Sequence, residues 1–288
     1  MNLIIGALEQ GLLYSILGMG IFLTFRILRI PDLTADGSLV LGGAVAAVIT
    51  LQGRPLLAIP AAFAAGGLAG AVTGLIHVKI GVAPILSGVL TMSGLYTINL
   101  AIQSGAPNLS LLGTETLYSL FTEEKDFLIP FLCCILVLGG MVIFFHTGTG
   151  LAIRAAGSNP AMSRALSVNP GRMKLLGLAA ANALAGLTGG LLVQYRGYAD
   201  VNTGSGTMVA GLAGIILGEV ILGEGSPTKG LLACITGSVL YQLIMALAIR
   251  YNLFPAYAFK LVSAGLIILV LGVGYTAKEK KCTKTIKT

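Results

Sequence analysis

Apolar segments long enough to cross a lipid bilayer recur along the whole chain of 288 residues. A helix rises about 1.5 Å per residue, so roughly 20 apolar residues span the ~30 Å hydrocarbon core of a membrane. The pattern predicts an all-α fold, a polytopic transmembrane helical bundle of about nine spans, within a range of eight to ten. The predicted spans are 3–25, 36–52, 55–77, 84–102, 127–146, 173–194, 206–223, 230–249 and 257–275.

The composition of the chain excludes a water-soluble globule. Hydrophobic residues make up 56% of the chain, and 40 glycines add to that fraction. Charged residues account for only 10%, whereas a soluble domain usually has ~25%. Because so few charges cannot cover a surface exposed to water, the lipid bilayer is the expected environment. A disordered chain, a disulfide-rich scaffold and a soluble nucleic-acid-binding protein are excluded.

The distribution of Lys and Arg predicts how the chain is oriented in the membrane. With the N-terminus outside, 13 of the 18 basic residues fall on the cytoplasmic side and 5 on the outer side. The positive-inside rule favours this arrangement. Nine spans then place the C-terminus in the cytoplasm of a protein that crosses the cell membrane. We expect one transmembrane domain, residues 1–277, followed by a basic cytoplasmic tail, residues 278–288.

Signatures of catalysis and of metal or nucleotide binding are missing from the sequence. The two histidines, His77 and His146, lie far apart at predicted span ends, and no HExxH motif is present. The chain contains no Gly-Lys pair, so it has no phosphate-binding loop. The four cysteines form no CxxC motif and are interpreted as small hydrophobic residues. We therefore predict no enzymatic activity, no metal site and no cofactor.

Small residues and a possible repeat predict how the helices are arranged. In lipid, helices associate by close approach over small residues, and Ala61–Gly74 and Ala179–Gly190 have the composition of such packing faces. Gly81-Val82-Ala83-Pro84 instead predicts a break between helices. Leu33–Ile49 and Val201–Leu217 share a polar start and a Gly-rich span, and in the predicted topology they run in opposite directions, as in an inverted repeat. Chance similarity is the alternative, since the match consists mainly of small and apolar residues.

Polar side chains inside the predicted spans are candidates for a solute pathway, because they are costly in lipid and usually face a cavity or another helix. A carboxylate is harder to accommodate than an amide, which favours Asp36 and Glu219, although Asp36 has the alternative role of capping the second span. For Asn99, Asn182 and Gln242 we favour hydrogen bonds between helices. Asp32, Asp36 and Asp200 are expected at the ends of spans. The candidate pathway residues are Asp36, Ser38, Asn182, Gln194 and Glu219.

The longest predicted cytoplasmic loop, residues 147–173, carries two signals for the start of a helix. Asn159-Pro160 and Asn169-Pro170 each join a strong N-cap residue to proline, which fits the first position of a helix. They predict a short helix from about Pro160 to Ser167 and a longer helix that starts at Pro170 and enters the membrane.

The predicted short helix is basic, because Arg154 and Arg164 flank it. A capped, basic helix held between two membrane spans suits docking on a soluble partner. A plain connecting loop is the alternative interpretation.

The segment Gly150–Pro160, with the sequence GLAIRAAGSNP, resembles the coupling loop of ABC importer permeases of the branched-chain amino-acid and ribose type. Ala165-Leu166 and Asn169 continue the match. The resemblance extends to Ile30–Gly43 and to Asn182–Glu219 in the same order, so it covers most of the chain.

The resemblance implies a dimeric or pseudo-dimeric membrane channel in the lipid bilayer, and we favour a homodimer of this chain over a heterodimer. Two cytoplasmic ABC ATPase subunits would supply ATP hydrolysis, and an extracytoplasmic solute-binding protein would deliver the solute. The short cytoplasmic helix would fit a cleft on the ATPase and transmit its closure to the pore. The implied ATPase-coupling residues are Arg154, Gly157, Asn159, Pro160 and Arg164.

Two positions depart from the pattern of the group. Many members carry paired glycines where this chain has Gly218-Glu219 and Gly223-Glu224. These LGE forms and the sequence DLTADGS at 32–38 resemble a branch whose presumed substrates include aromatic amino acids. The resemblance therefore implies an amino acid, aromatic or hydrophobic, rather than a sugar or a branched-chain amino acid.

A secondary carrier or channel that works alone is the alternative function. Such a carrier needs no helix for docking a partner, and it more often places paired charges at mid-membrane for ion coupling. The charges of this chain are predicted at span ends, which favours the importer permease.

Overall fold

The computed structural model of the protein describes residues 2–119, 127–223 and 225–251, together with residues 264, 265 and 268. Within these ranges the fold consists of helices and one small sheet. The helices are α1 (Asn2–Ile21), α2 (Thr34–Leu51), α3 (Pro55–Leu75), α4 (Pro84–Ile102), α5 (Leu128–His146), α6 (Gly148–Ser158), α7 (Pro160–Ala165), α8 (Pro170–Arg196), α9 (Thr207–Leu222) and α10 (Pro227–Arg250). The sheet pairs β1 (Asn108–Ser110) with β2 (Tyr198–Asp200) in antiparallel register.

Eight helical segments of the described chain are long and apolar enough to cross a membrane. They coincide with the first eight predicted spans, which confirms the polytopic, all-α bundle. The ninth predicted span, 257–275, lies almost entirely outside the described residues, and so does the tail 278–288.

Helix ends follow signals that are visible in the sequence. Two helices, α1 and α3, continue as short π-helices over Phe22–Ile27 and Ile76–Ile80. The second of these ends at Gly81, whose φ of 82° lies in the left-handed region that glycine tolerates best. The next helix begins at Pro84, so the predicted break is confirmed.

The bundle is held together by close helix approach over glycine. A Cβ atom on Gly186 would overlap the carbonyl oxygen of Ala62, and one on Gly189 would overlap that of Leu39. These contacts join α8 to α3 and α2, which are among its most extensive packing partners. The predicted packing faces Ala61–Gly74 and Ala179–Gly190 are therefore confirmed.

Two similar groups of helices form the bundle. In one group, α8 packs on the hairpin of α2 and α3, and in the other, α1 packs on the hairpin of α9 and α10. Each hairpin thus receives a helix from the other half of the chain. The turn between α2 and α3 and the turn between α9 and α10 lie at opposite ends of the bundle, so the predicted inversion of the two copies is observed.

The two ends of the bundle differ in charge. We name the end that carries residues 147–169 the basic end, and the end that carries the β1–β2 sheet the sheet end. Described basic residues at the basic end are Arg26, Arg29, Lys79, Arg154, Arg164, Arg172, Lys174 and Lys229, against Arg54, Arg196 and Arg250 at the sheet end. The unequal distribution of Lys and Arg, from which the orientation was predicted, therefore also separates the two ends of the bundle.

Candidate solute pathway and docking loop

Three polar side chains meet in the interior between α2 and α8. The Nδ2 atom of Asn182 donates a hydrogen bond to Oδ2 of Asp32 at 2.6 Å, and Oγ of Ser38 donates to Oδ1 of Asn182 at 2.7 Å. Ser38 and Asn182 are fully buried, and Asp32 is 3% exposed. The network joins the segment before α2 to α2 itself and to α8.

This network lies near the middle of the bundle. Asn182 is 12 residues from Pro170 and 14 from Arg196, the ends of α8, which corresponds to about 18 and 21 Å of helix. As predicted, Asp32 and Asp36 lie at the start of a span, because Asp36 is in the first turn of α2 and Asp32 just precedes this helix. This start of α2 is buried beside the middle of α8.

Asp32 also satisfies the start of α2. The backbone N–H of Thr34 donates to its Oδ1 atom at 2.9 Å, while its Oδ2 atom accepts from Asn182. The carboxyl group is thus a buried acceptor that joins the start of α2 to α8.

Asp36 binds the start of a helix that lies 170 residues away in sequence. Its Oδ1 atom accepts from the backbone N–H of Met208 at 2.6 Å and from Oγ1 of Thr207 at 2.8 Å, and its Oδ2 atom accepts from the N–H of Gly206 at 3.1 Å. The alternative role of capping the second span is not what is observed, because the carboxylate caps α9. The helices α2 and α9 therefore begin side by side at mid-bundle, and α2 runs to the sheet end while α9 runs to the basic end.

Close approach of the chain before α9 depends on Gly204. A Cβ atom there would overlap the carbonyl oxygen of Asp36 and lie against Val40. The 3-10 turn Val201–Gly204 can therefore rest directly on α2.

Gln194 lies apart from these carboxylates, near the sheet end of α8. Its Oε1 atom accepts from the backbone N–H of Leu117 at 2.8 Å, and its Nε2 atom donates to the carbonyl oxygen of Pro55 at 2.9 Å. The side chain thus ties the loop before α5 and the start of α3 to α8.

Glu219 lies at the basic end, close to the end of α9. Its carboxylate forms an ion pair with Arg26, with 2.8 Å between Oε1 of the glutamate and Nε of the arginine. The pair borders a cavity of about 640 Å³, which Arg29 and Arg154 also line. Glu219 thus lies near the end of its span, at the basic end of the bundle, and Arg26 is a partner that the sequence analysis missed.

The docking loop contains a helix that was not predicted, α6. Oγ1 of Thr147 accepts from the N–H of Gly150 at 3.2 Å, which caps its start. Ile153 and Ala156 are fully buried, and a Cβ atom on Gly157 would overlap the carbonyl oxygen of Ile27. Thus α6 is anchored on the end of α1. This helix was not predicted because its many small residues give a weak helical signal in the sequence.

The predicted short helix is confirmed as α7, although it ends at Ala165 rather than near Ser167. Oδ1 of Asn159 accepts from the N–H of Met162 at 3.0 Å, as expected of an N-cap. Pro160 occupies the first position of the helix.

The second Asn-Pro pair acts in the same way. Oδ1 of Asn169 accepts from the N–H groups of Gly171 and Arg172 at 3.0 and 3.3 Å, and α8 begins at Pro170 as predicted.

Most of α7 is exposed. Met162 in α7 and Leu166 directly after this helix are 61% and 63% exposed and lie four residues apart, on the same side. Arg164 is exposed on another side of the helix, and Ser163 is the buried residue of α7. We refer to Met162, Arg164 and Leu166 as the docking face. Two large apolar side chains exposed close together at the basic end make this loop a candidate surface for binding another protein.

The structure thus brings some predicted site residues together and separates others. Asp36, Ser38 and Asn182 belong to one region at mid-bundle, to which Asp32 and Thr207 must be added. Arg154, Gly157, Asn159, Pro160 and Arg164 share the loop at the basic end, with Glu219 across the cavity from Arg154. Among the described residues, no group of three His, Cys, Asp or Glu side chains is placed to hold a metal ion.

The known proteins that this chain resembles include several permeases of transport systems. The family model described as "Branched-chain amino acid transport system / permease component" matches residues 3–271. The chain is 36% identical to the tyrosine transport system permease protein of Clostridioides difficile (strain R20291), over 95% of this chain and 92% of that protein. It is 33% identical to an uncharacterised protein of Rickettsia prowazekii (strain Madrid E), over 88% and 92%. The ribose import permease protein RbsC of Escherichia coli (strain K12) is 28% identical, over 78% and 71%. No solved structure gives a significant match.

Proposed function

Since the chain belongs to the family of permease components of branched-chain amino acid transport systems, we propose that it forms the pathway of an ATP-binding-cassette importer for an aromatic amino acid. The chain is a multi-pass membrane protein of an importer family that carries small solutes. The proposal adds the class of solute and the source of energy. The observation that carries it is the 36% identity to a tyrosine permease along nearly the full length of both chains.

The docking face supports a soluble ATPase as the energy source. The exposed Met162 and Leu166 would be buried in a cleft of that partner, and Arg164 on another side of the helix would meet an anionic group at the edge of the cleft. Such complementarity sets the register of an interface. Because α6 is anchored on α1 through Gly157, a displacement of α7 would be transmitted to the bundle.

The proposed assembly contains two copies of the permease, two ATPase subunits and one extracytoplasmic binding protein. The ATPases would dock at the basic end, and the binding protein would deliver the solute at the sheet end. This arrangement places the N-terminus outside and the C-terminal tail 278–288 in the cytoplasm. Residues 1–277 would then form a single permease domain.

The proposed function is tested with the permease, the ATPase and the binding protein encoded beside it, reconstituted together in proteoliposomes. We expect L-tyrosine to stimulate ATP hydrolysis and to be taken up, and L-leucine and ribose to do so weakly. Stimulation by ribose or leucine alone would overturn the class of solute. A permease purified by itself should not hydrolyse ATP, since it has no phosphate-binding loop.

A stand-alone secondary carrier is the second candidate, and the buried carboxylates of Asp32 and Asp36 favour it. Carboxylates at mid-membrane are what proton- and ion-coupled carriers use. Uptake by the permease alone, driven by an ion gradient and indifferent to ATP, would select this candidate. Uptake that requires ATP and the ATPase selects the importer.

The orientation is tested separately by labelling a single cysteine at Ser158 in a variant without the four native cysteines. This residue is exposed at the basic end. We expect a membrane-impermeant thiol reagent to label Ser158→Cys in inside-out vesicles but not in intact cells. Labelling of intact cells would reverse the proposed topology.

A further inference from the structure

A polar recess of about 140 Å³ opens on the side of the bundle between α2, α4 and the turn that precedes α9. It lies beside the start of α2, at the level of the Asp32–Ser38–Asn182 network and hence near mid-bundle. Its walls combine polar and apolar groups. They are formed by Asp36, Gly37, Val40, Met92, Tyr96, Asn99, Val201, Asn202, Gly204 and Ser205.

Lipid is an unsuitable neighbour for this recess. Asn202 and Ser205 are exposed at its rim, next to the 54% exposed ring of Tyr96. Hydrocarbon cannot satisfy such groups, and polar side chains at membrane depth face protein or a water-filled cavity. This side of the bundle is therefore suited to face water or protein in the assembly rather than lipid.

Asn99 provides an acceptor without a partner inside the recess. The side chain is 1% exposed, and its Nδ2 atom donates to the carbonyl oxygen of Gly37 at a long 3.4 Å. Its Oδ1 atom is buried and has no hydrogen-bond partner among the described residues. A buried acceptor left unsatisfied is costly, so a donor that enters the recess would be bound there.

Asp36 gives the recess its charge. It is the charged residue among the ten that line it. The carboxylate accepts three hydrogen bonds from residues 206–208, whereas an ionised carboxylate has about four acceptor positions. The start of α9 is already satisfied by this anion, so the recess favours a cationic donor over a second anion.

One face of α4 carries side chains from the recess towards the sheet end. Met92, Tyr96, Asn99 and Gln103 follow one another at intervals of four, three and four residues, which places them on this face. Gln103 is 1% exposed, and neither of its amide atoms has a partner among the described residues. Two successive turns of this face thus carry amides with unsatisfied atoms, one in the recess and one nearer the sheet end.

We propose that this recess is the subsite for the protonated amine of the transported solute. The inference rests on the proposed function and deepens it, because it assigns a position to the ammonium group that every free amino acid carries. Asn99 Oδ1 and the carboxylate of Asp36 accept the ammonium hydrogens. The volume holds the ammonium and the adjacent carbon atoms, and the aromatic ring of the solute lies outside, against Tyr96 and Met92. The ring of Tyr96 can stack on an aromatic solute, and the sulfur of Met92 can contact its edge.

The test uses cysteine accessibility in the complete permease–ATPase complex, with the four native cysteines replaced. Tyr96→Cys is treated with cationic aminoethyl methanethiosulfonate or with anionic sulfonatoethyl methanethiosulfonate. Ile98→Cys serves as the matched control, since Ile98 is 50% exposed on another face of α4. We expect Tyr96→Cys to react about tenfold faster with the cation than with the anion, because a nearby carboxylate concentrates cations.

Excess L-tyrosine should slow the reaction of Tyr96→Cys with the cationic reagent and leave that of Ile98→Cys unchanged. Equal rates for the two reagents, or no protection by the amino acid, would overturn the amine subsite. Both outcomes can occur while ATP-driven uptake by the parent continues. They are therefore distinguishable from a failure of the proposed function, which would show as loss of that uptake.

A second measurement tests the amine subsite even if a cysteine substitution disturbs the fold. Asn99→Leu removes the unpartnered acceptor and retains a side chain of similar size, and Thr97→Val is the control on an exposed position of the same helix. We expect the KM for uptake to rise about tenfold for Asn99→Leu, the effect of losing one hydrogen bond to a charged group, with normal membrane abundance. An unchanged KM would overturn the assignment.

Discussion

Two regions of the molecule use the same device, a polar side chain that caps the start of a helix, in different surroundings. At the basic end, Asn159 caps α7 within its own segment, and the cap is exposed to solvent. At mid-bundle, Asp36 caps α9 from 170 residues away, and the cap is buried. Water can replace the first cap but has little access to the second, so the two should differ greatly in what their loss costs.

The difference between the two caps indicates that buried and exposed caps have different roles. The buried caps set the relative positions of the two halves of the bundle and determine whether the permease folds. The exposed caps shape a loop whose docking face has few contacts with the rest of the chain. Substitutions in the first region should therefore affect folding, and those in the second should affect coupling.

The largest effect is expected for Asp36→Ala, which leaves the backbone N–H groups of Gly206 and Met208 without an acceptor, whereas Oγ1 of Thr207 can still donate to the carbonyl oxygen of Gly204. Each buried unsatisfied group costs about 1–3 kcal/mol, so we expect a loss of about 2 kcal/mol or more. The measurement is membrane abundance and monodispersity on size-exclusion chromatography. Asp200→Ala is the control, since this partly exposed carboxylate accepts from the N–H of Asn202 in a local turn. Equal effects of the two substitutions would contradict the contrast between buried and exposed caps.

A substantial loss of stability is also expected for Gly189→Ala, because the added methyl group would overlap the carbonyl oxygen of Leu39. Forcing α2 and α8 apart at this point should cost about 1–3 kcal/mol and disturb the nearby network of Asn182. Thermal unfolding in detergent measures the effect. Gly139→Ala on α5 is the matched control, since nothing lies within 4 Å of a Cβ atom there. If both variants unfold at the parental temperature, the contact between α2 and α8 is looser than described.

Asp32→Asn should lower stability by about 1–3 kcal/mol. Oδ1 of Asp32 accepts from the N–H of Thr34 and Oδ2 accepts from Nδ2 of Asn182, so the amide group of the variant would face the donor of Asn182 with its own donor. Thermal unfolding in detergent measures the loss. Parental stability of Asp32→Asn would contradict the described contact with Asn182.

Asn159→Ala should have the smallest effect on stability. Loss of the cap costs about 0.5–2 kcal/mol of helix stability, and the cost is confined to α7 because the docking face is exposed. Hydrogen exchange of the amides of residues 160–165 should increase while that of α8 stays at the parental level. Exchange that increases throughout the bundle would show that the loop is part of the core.

How far the sequence predicts this structure depends on the distance between the partners of each contact. Asn159-Pro160 and Gly81 act within a few residues, and both helix boundaries were predicted correctly. The packing faces around Gly66 and Gly186 could be predicted because close approach in lipid requires small residues at every contact. By contrast, α6 was missed, since its glycines and alanines give a weak helical signal and its anchoring on Ile27 is a tertiary contact.

The mid-bundle site could be predicted only in part. The carboxylate of Asp36 was suspected because a charge is hard to place in a membrane, but nothing near it in sequence indicates Thr207 or Met208 as partners. Asp32 was correctly expected at the start of a span, but hydropathy cannot show that this start is buried against Asn182 in the middle of α8. The pairing of Arg26 with Glu219 likewise becomes visible only when α1 and α9 end side by side.

Arg164→Glu tests whether the docking face couples a separate ATPase to a permease that folds independently of it. The measurement is ATPase co-purification and ATP-driven solute uptake at matched membrane abundance, with Arg164→Lys as the variant that keeps the positive charge. We expect Arg164→Glu to reach the membrane and dimerise like the parent but neither to retain the ATPase nor to transport, while Arg164→Lys keeps most of both. Parental ATPase association and uptake in Arg164→Glu would contradict this coupling and leave the loop as a plain connection between α5 and α8.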